Sequence, residues 1–148
     1  MKRVLSAVMF ALSGFLAAAE EVPNWVLHGI LGVETSSFYK PDGSVHYTNR
    51  KRGRHGELGP WQMTRAAFLK VHQKGDRFDR LAQDTAYAQT LAARYLLWVN
   101  AQVGGNWDRT VRAYNVGVKG SQRSDRGSDY LDDVRAWARR VGALPVQK

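Results

Sequence analysis

Cysteine is absent from this 148-residue chain. Disulfides are therefore excluded, the fold must rest on its core alone, and no lipoprotein cleavage site is possible. The four histidines, at 28, 46, 55 and 72, include no Glu-x-x-His pair and no tight spacing. With no thiolate to assist them, no metal site is expected. A Gly-x-Ser-x-Gly elbow is also missing, which leaves serine-nucleophile chemistry unsupported. Internal repeats and low-complexity tracts do not occur. Acidic side chains are scarce, 13 against 22 basic ones, for a formal charge of +9 at pH 7. Such a surplus implies nucleic acid, an anionic surface or an anionic polymer as partner, and charge alone does not choose among them.

Long apolar runs are lacking too, with one exception at the start. Met1-Lys2-Arg3 precedes an apolar stretch from Val4 to Phe15, then Leu16-Ala17-Ala18-Ala19 and the acidic Glu20-Glu21. A cationic start, an apolar run too short to span a bilayer comfortably and small side chains at Ala17 and Ala19 are the marks of a signal peptide, residues 1–19. An uncleaved anchor is the alternative. Cleavage would leave residues 20–148 as one domain, long enough for a real core and too short for two. It removes Lys2 and Arg3 and no acid, so the charge falls from +9 to +7. The expected product is exported, periplasmic or secreted, with no stable membrane anchor. The nearest anionic polymer there is the cell wall.

What the rest of the chain has in abundance is apolar spacing near 3.6 residues, which predicts a mainly helical domain. Asn24, after Pro23, caps a first helix whose Leu27, Ile30 and Leu31 share one face. A second helix starts at Thr64, turns Ala67, Phe68 and Val71 inward and ends by Gly75. The longest begins at Asp84 and carries Ala88, Leu91, Ala92, Tyr95, Trp98 and Val99 before Gly104-Gly105. A fourth runs from Asn106 or Asp108 to about Asn115, stopped by Gly117. A fifth, from Ser128 to Val141, buries Leu131, Val134, Trp137 and Val141. Between the first two helices, residues 40–56 hold a Pro-Asp-Gly turn and an alternation of Val45 with Tyr47, which permit a small hairpin or an irregular loop.

Glu34 is the position that stands out. It continues the stripe of Leu27, Ile30 and Leu31, and a carboxylate on an apolar face must be paired, protonated or useful. Burial raises a carboxyl pKa, and a Glu held protonated near neutral pH can serve as general acid for glycosidic cleavage. Alternatively, the stripe ends there and Glu34 stands in water.

Three blocks bear on that choice: "GVETSSF" (32–38), "GELGPWQM" (56–63) and "RAYNVG" (112–117), followed by "DYLDDV". In this order, with "AYAQTLAARYLLWV" as a core helix between the last two, they resemble the lytic transglycosylases of the soluble-lytic-transglycosylase type, a lysozyme-like family. The resemblance spans about Pro23 to Val141. It implies a lysozyme-like helical domain that cleaves peptidoglycan glycan strands without metal or organic cofactor. It implies Glu34 as catalytic acid and then base, forming a 1,6-anhydro end on N-acetylmuramic acid. Gln62 would hydrogen-bond an N-acetylated sugar, Tyr114 and Asn115 would line the cleft, and Tyr130 would support Glu34 from behind.

Departures from the family pattern are local. Thr35 follows Glu34 where Ser is usual and Ser36 comes one later, so either hydroxyl could be the substrate-side partner. Pro60-Trp61 replace the usual Leu-Met before Gln62, and the indole of Trp61 could stack on a sugar ring. The interval from Glu34 to Gln62 is longer than usual, and the excess is the basic loop. Goose-type lysozymes share the general fold but hydrolyse, which requires a second carboxylate to position water. Glu57 and Asp42 are the acids able to take that role; a turn acid or a partner to nearby arginines is the simpler reading of Glu57, and a turn residue that of Asp42.

Two rival classes remain. Arg50, Lys51, Arg52 and Arg54 lie near His46, Tyr47 and His55, a mixture able to bind phosphates and stack on bases. A nucleic-acid-binding protein would make the leader and the three blocks coincidences, so nucleic acid is not the expected partner. A non-catalytic glycan-binding module is opposed by the intact Glu34 and Gln62. Wall turnover, opening a gap for an envelope-spanning secretion or conjugation apparatus, and phage entry or release would all use the same chemistry.

Overall fold

The computed structural model describes residues 21–50, 52–123 and 125–145; the leader expected over residues 1–19 lies outside them. Helix α1 (Asn24–Thr35) leads through a two-stranded hairpin, β1 (Phe38–Tyr39) and β2 (Val45–His46), to α2 (Arg65–Val71). A 3₁₀ turn (Phe78–Ala82) precedes α3 (Thr85–Gln102), α4 (Trp107–Gly120) and α5 (Ser128–Arg140). The protein is thus mainly helical with one small hairpin between its first two helices.

Three helix starts follow the expected capping chemistry. The side chains of Thr64, Asp84 and Asn106 accept from the backbone N–H groups of Ala67, Tyr87 and Arg109, satisfying donors that a first turn leaves unpaired. At α1 the expectation fails. Asn24 is already helical, and the Pro23 carbonyl takes the first bond, from Val26 N at 3.0 Å, with no side-chain cap. Two C-terminal readings also shift. Gly117 (φ 78°, ψ 161°) does break the helical backbone of α4, but one more turn follows it to Gly120. Val141 caps α5 and is exposed rather than buried.

The hairpin pairs Phe38 with His46 and Tyr39 with Val45. Its turn is held by Asp42, whose Oδ1 accepts from Ser44 N at 2.9 Å and from Ser44 Oγ at 2.6 Å. Asp42 is a turn residue on the surface, which removes it from the candidates for a second carboxylate.

The core gathers Ile30 and Leu31 of α1, Leu91 and Leu96 of α3, Val111 of α4 and Val134 of α5 around Trp61, only 1 % exposed. The Trp61 indole N–H donates to the Leu27 carbonyl at 3.1 Å, satisfying the one polar atom the ring brings inside. Truncating such a side chain typically costs about 3–5 kcal/mol. Trp61 therefore holds the segment 58–63 against α1, and its ring cannot stack on a sugar as the sequence suggested. Among the described residues no helix is long and apolar enough to cross a membrane.

Candidate active site

The end of α1 is pinned from two directions. Thr35 Oγ1 is buried, 2.9 Å from the Pro60 carbonyl, 3.2 Å from that of Leu31 and 2.7 Å from Ser37 Oγ. A hydroxyl has one hydrogen, so it can donate to one of the carbonyls while accepting from Ser37. Ser36 then turns into the left-handed region (φ 55°), closing the helix with its N–H on the Gly32 carbonyl. The ambiguity between the two hydroxyls is thereby resolved: Thr35 ties α1 to the Pro60–Gln62 wall. Ser36 is exposed beside Gly32, Val33 and Trp137, away from Glu34, which corrects its reading as a substrate contact.

The facing wall is the stretch from Gly53 to Met63. Leu58 and Met63 exchange backbone hydrogen bonds of 3.0 and 2.9 Å, folding residues 59–62 into a tight bend. Gly59 takes φ 81°, and a Cβ there would lie 2.7 Å from the Leu81 carbonyl oxygen, so both conformation and space require glycine. Gln62 adopts φ 47°, a left-handed conformation that L side chains enter at an energetic penalty and that recurs at functional sites. Its amide Nε2 donates to the Gly59 carbonyl at 3.0 Å.

Helices α4 and α5 complete the site. The Tyr114 hydroxyl donates to the Trp61 carbonyl, tying α4 to the bend, and Asn115 follows it into solvent. From α5 the Tyr130 hydroxyl donates to Glu34 Oε1 at 2.6 Å. Glu34, Gln62, Tyr114 and Asn115, far apart in sequence, line one cleft of about 260 Å³. Glu57 lines it as well, so the structure brings both carboxylates into the same space; its Oε2 also accepts from His55 N at 2.9 Å. Gly53, Arg54 and Thr64 share the lining, although the sequence had marked Arg54 only as one of a basic cluster, Thr64 only as a helix start and Gly53 not at all. Gly53 belongs there because any side chain would collide with Glu57 and Gln62; an added Cβ would lie 2.1 Å from Glu57 Oε2.

Electrostatics follow from this packing. Burial is the main cause that pushes the Glu34 carboxyl above its usual range; the Tyr130 hydrogen bond pulls it back, and the charge of Glu57 raises it again. The phenols of Tyr114 and Tyr130 are held well above 10, first by burial and then by the charge of Glu34, so both remain hydrogen-bond donors at neutral pH. The arrangement places a half-buried carboxyl, whose pKa burial raises, with a hydrogen-bond donor beside it, on the lining of an open cleft. Among the described residues, no group of three or more His, Asp or Glu side chains is disposed to hold a metal ion.

A family model described as the Transglycosylase SLT domain matches residues 12–134, a range containing every side chain of this cleft. No curated protein and no solved structure gives a significant match. Because the matched range covers well over half of the sequence, the chain belongs to the transglycosylase SLT domain family, as a mainly helical, lysozyme-like member.

Proposed function

We propose that this protein cleaves the β-1,4 bond between N-acetylmuramic acid and N-acetylglucosamine in peptidoglycan, leaving a 1,6-anhydro end. Membership of the family supports a transglycosylase-type enzyme acting on peptidoglycan. The observation that carries the finer reading is Glu34, a half-buried carboxyl with a raised pKa that lines the cleft. In its protonated form it donates to the bridging oxygen as the muramyl C1–O bond breaks, and the bond's electron pair leaves with that oxygen. The carboxylate so formed accepts the proton of the muramyl C6 hydroxyl while that oxygen bonds to C1. The acid is regenerated and no water is consumed. Gln62 and Asn115 supply amides suited to N-acetyl groups. Such a substrate lies outside the cytoplasm, for which a leader over residues 1–19 is fitting.

Glu57 favours a second reading, hydrolysis, because a second carboxylate in the cleft could activate water. Digestion of purified sacculi in isotopically heavy water, followed by mass spectrometry, separates the two. The expected muropeptides are lighter than reducing ends by one water and carry no heavy oxygen. Reducing ends bearing one heavy oxygen would instead make the enzyme a hydrolase with Glu57 as base.

Tyr130 is a positioning residue in this reading, and its removal has a signed consequence. Its hydrogen bond stabilises the charged form of Glu34, so Tyr130→Phe raises the Glu34 pKa further. The alkaline limb of the rate profile, set by loss of the acidic proton, is expected to move to higher pH while kcat falls by roughly tenfold. A limb that stayed in place would mean that Tyr130 does not tune the acid.

A further inference from the structure

The turn from Arg52 to Leu58 has two sides. Gly53, Arg54 and Glu57 face the catalytic cleft, whereas Arg52, His55, Gly56 and Leu58 face a separate cavity of about 580 Å³, more than twice the cleft's 260 Å³. The same division continues past the bend, with Thr64 on the cleft side and Arg65 on the other. The turn is firmly built: Gly53 N donates to the Glu57 carbonyl and Gly56 N to that of Gly53, both at 2.9 Å.

The cavity's chemistry is one-sided. Leu58, Phe68 and Phe78 supply apolar lining, the two rings meeting edge to face at 5.5 Å. Both acids in its wall are already paired, Asp76 with Arg94 at 2.8 Å and Asp79 with Arg77 at 2.6 Å. Among the described residues neither Arg52 nor Arg65 has a carboxylate within ion-pair distance, and the Arg65 guanidinium lies over the Phe78 ring, 5.6 Å from its centre. Two exposed guanidinium groups beside an apolar lining suit a ligand that is both anionic and partly apolar.

We propose that this cavity is a second binding site, for the carboxylate-bearing peptide of the wall polymer. The proposal rests on the catalytic reading above for the identity of that polymer. A muramyl sugar bears its peptide on a lactyl ether at O3, so a strand with that sugar beside Glu34 must send the peptide out sideways. The 52–58 turn lines both the cleft and the cavity. The peptide's free carboxylates then meet Arg52 and Arg65, and its methyl-bearing residues meet Leu58 and Phe78. Nucleic acid fits less well: Phe68 and Phe78 pack against each other and Arg65 lies over Phe78, so the part-exposed Phe78 ring has room for a methyl group but offers no whole face for a base to stack on. The basic segment that lengthens the interval from Glu34 to Gln62 thus contributes to a peptide site.

Kinetics on two substrates test this: glycan strands with their peptides, and the same strands stripped by an amidase. The parent is expected to show a KM roughly tenfold lower on the peptide-bearing strands. Arg52→Glu, on an exposed turn, and Arg65→Gln are each expected to abolish that advantage while their rates on stripped strands match the parent's and their melting temperatures stay unchanged. Independently, calorimetric titration of the free acidic peptide into the parent should give a weak isotherm that Arg52→Glu removes. A parent indifferent to the peptide, or a preference that survives both substitutions, overturns the proposal. So does an Arg52-dependent affinity for a short DNA duplex with none for the peptide. Peptide binding that depends on Arg52, in a parent that cleaves neither substrate, would leave the site standing and overturn the catalytic reading alone.

Discussion

Glu34→Gln is expected to lower peptidoglycan cleavage by about a thousandfold or more, while the folded chain becomes more resistant to heat at pH 7. The first half follows from using one carboxyl twice. General acid and general base assistance each contribute about 10²–10⁴-fold, and an amide supplies neither. The second half follows from the pKa. Burial raises the Glu34 carboxyl in the folded chain, so between its ordinary value and that raised value the native state binds the extra proton. Stability contributed by the neutral form is therefore present below the ordinary carboxylate range and lost as pH rises through the folded pKa. Glutamine escapes this loss and can still accept the Tyr130 hydrogen bond through its carbonyl oxygen. Thermal melts across pH should show the variant's advantage at pH 7 shrinking to nothing in acid. A zymogram settles the activity: clearing as strong as the parent's would remove Glu34 from the acid's role. A variant that melted lower at pH 7 would mean that the carboxylate is stabilised in its site by more than burial takes away.

The helices were legible because burial and periodicity coincide. Leu27, Ile30 and Leu31 read as one face and pack as one face, and the caps at Thr64, Asp84 and Asn106 are local chemistry between residues three apart. Glu34 was legible for the same reason, as the polar residue that continues an apolar stripe. Trp61 was not. An indole beside a glutamine in a bend is equally suited to a sugar or to a core, and its contact with the Leu27 carbonyl spans 34 residues of sequence. Thr35 and Ser36 differ only in which hydroxyl the left-handed residue turns outward, a distinction made by the backbone and not by composition. Arg54 could not be told from its basic neighbours, because the side of the turn a residue faces depends on the fold of residues 53–58. The apolar stripe of α5 was legible, but not that Val134 and Trp137 would close on Gly29 and Gly32 of α1, since that close approach depends on side chains the glycines lack.

Gly29→Ala should therefore destabilise the protein by roughly 2 kcal/mol, lowering its melting midpoint by about 6–10 °C, although alanine is the better helix former. In an ordinary helix interior the change would gain up to about 1 kcal/mol. Here a Cβ on Gly29 would lie 2.4 Å from the Val134 carbonyl oxygen and 2.5 Å from its Cγ1. The first obstacle is backbone, so α5 itself must move. Adding Val134→Ala clears only the side chain and is expected to rescue little. At Gly32 the obstacle is the Trp137 ring, 2.0 Å from the added Cβ, and a smaller residue at 137 should rescue more. Displacement of α5 would carry Tyr130 away from Glu34, because the two residues meet only across this pair of helices. The surviving activity of Gly29→Ala should consequently show the same upward shift of the alkaline limb as Tyr130→Phe, from a substitution that touches neither residue. A variant as stable as the parent would mean that α1 and α5 can separate freely. A destabilised variant with an unmoved limb would mean that Glu34 is held in place by its own helix end, through Thr35 and Pro60, without help from α5.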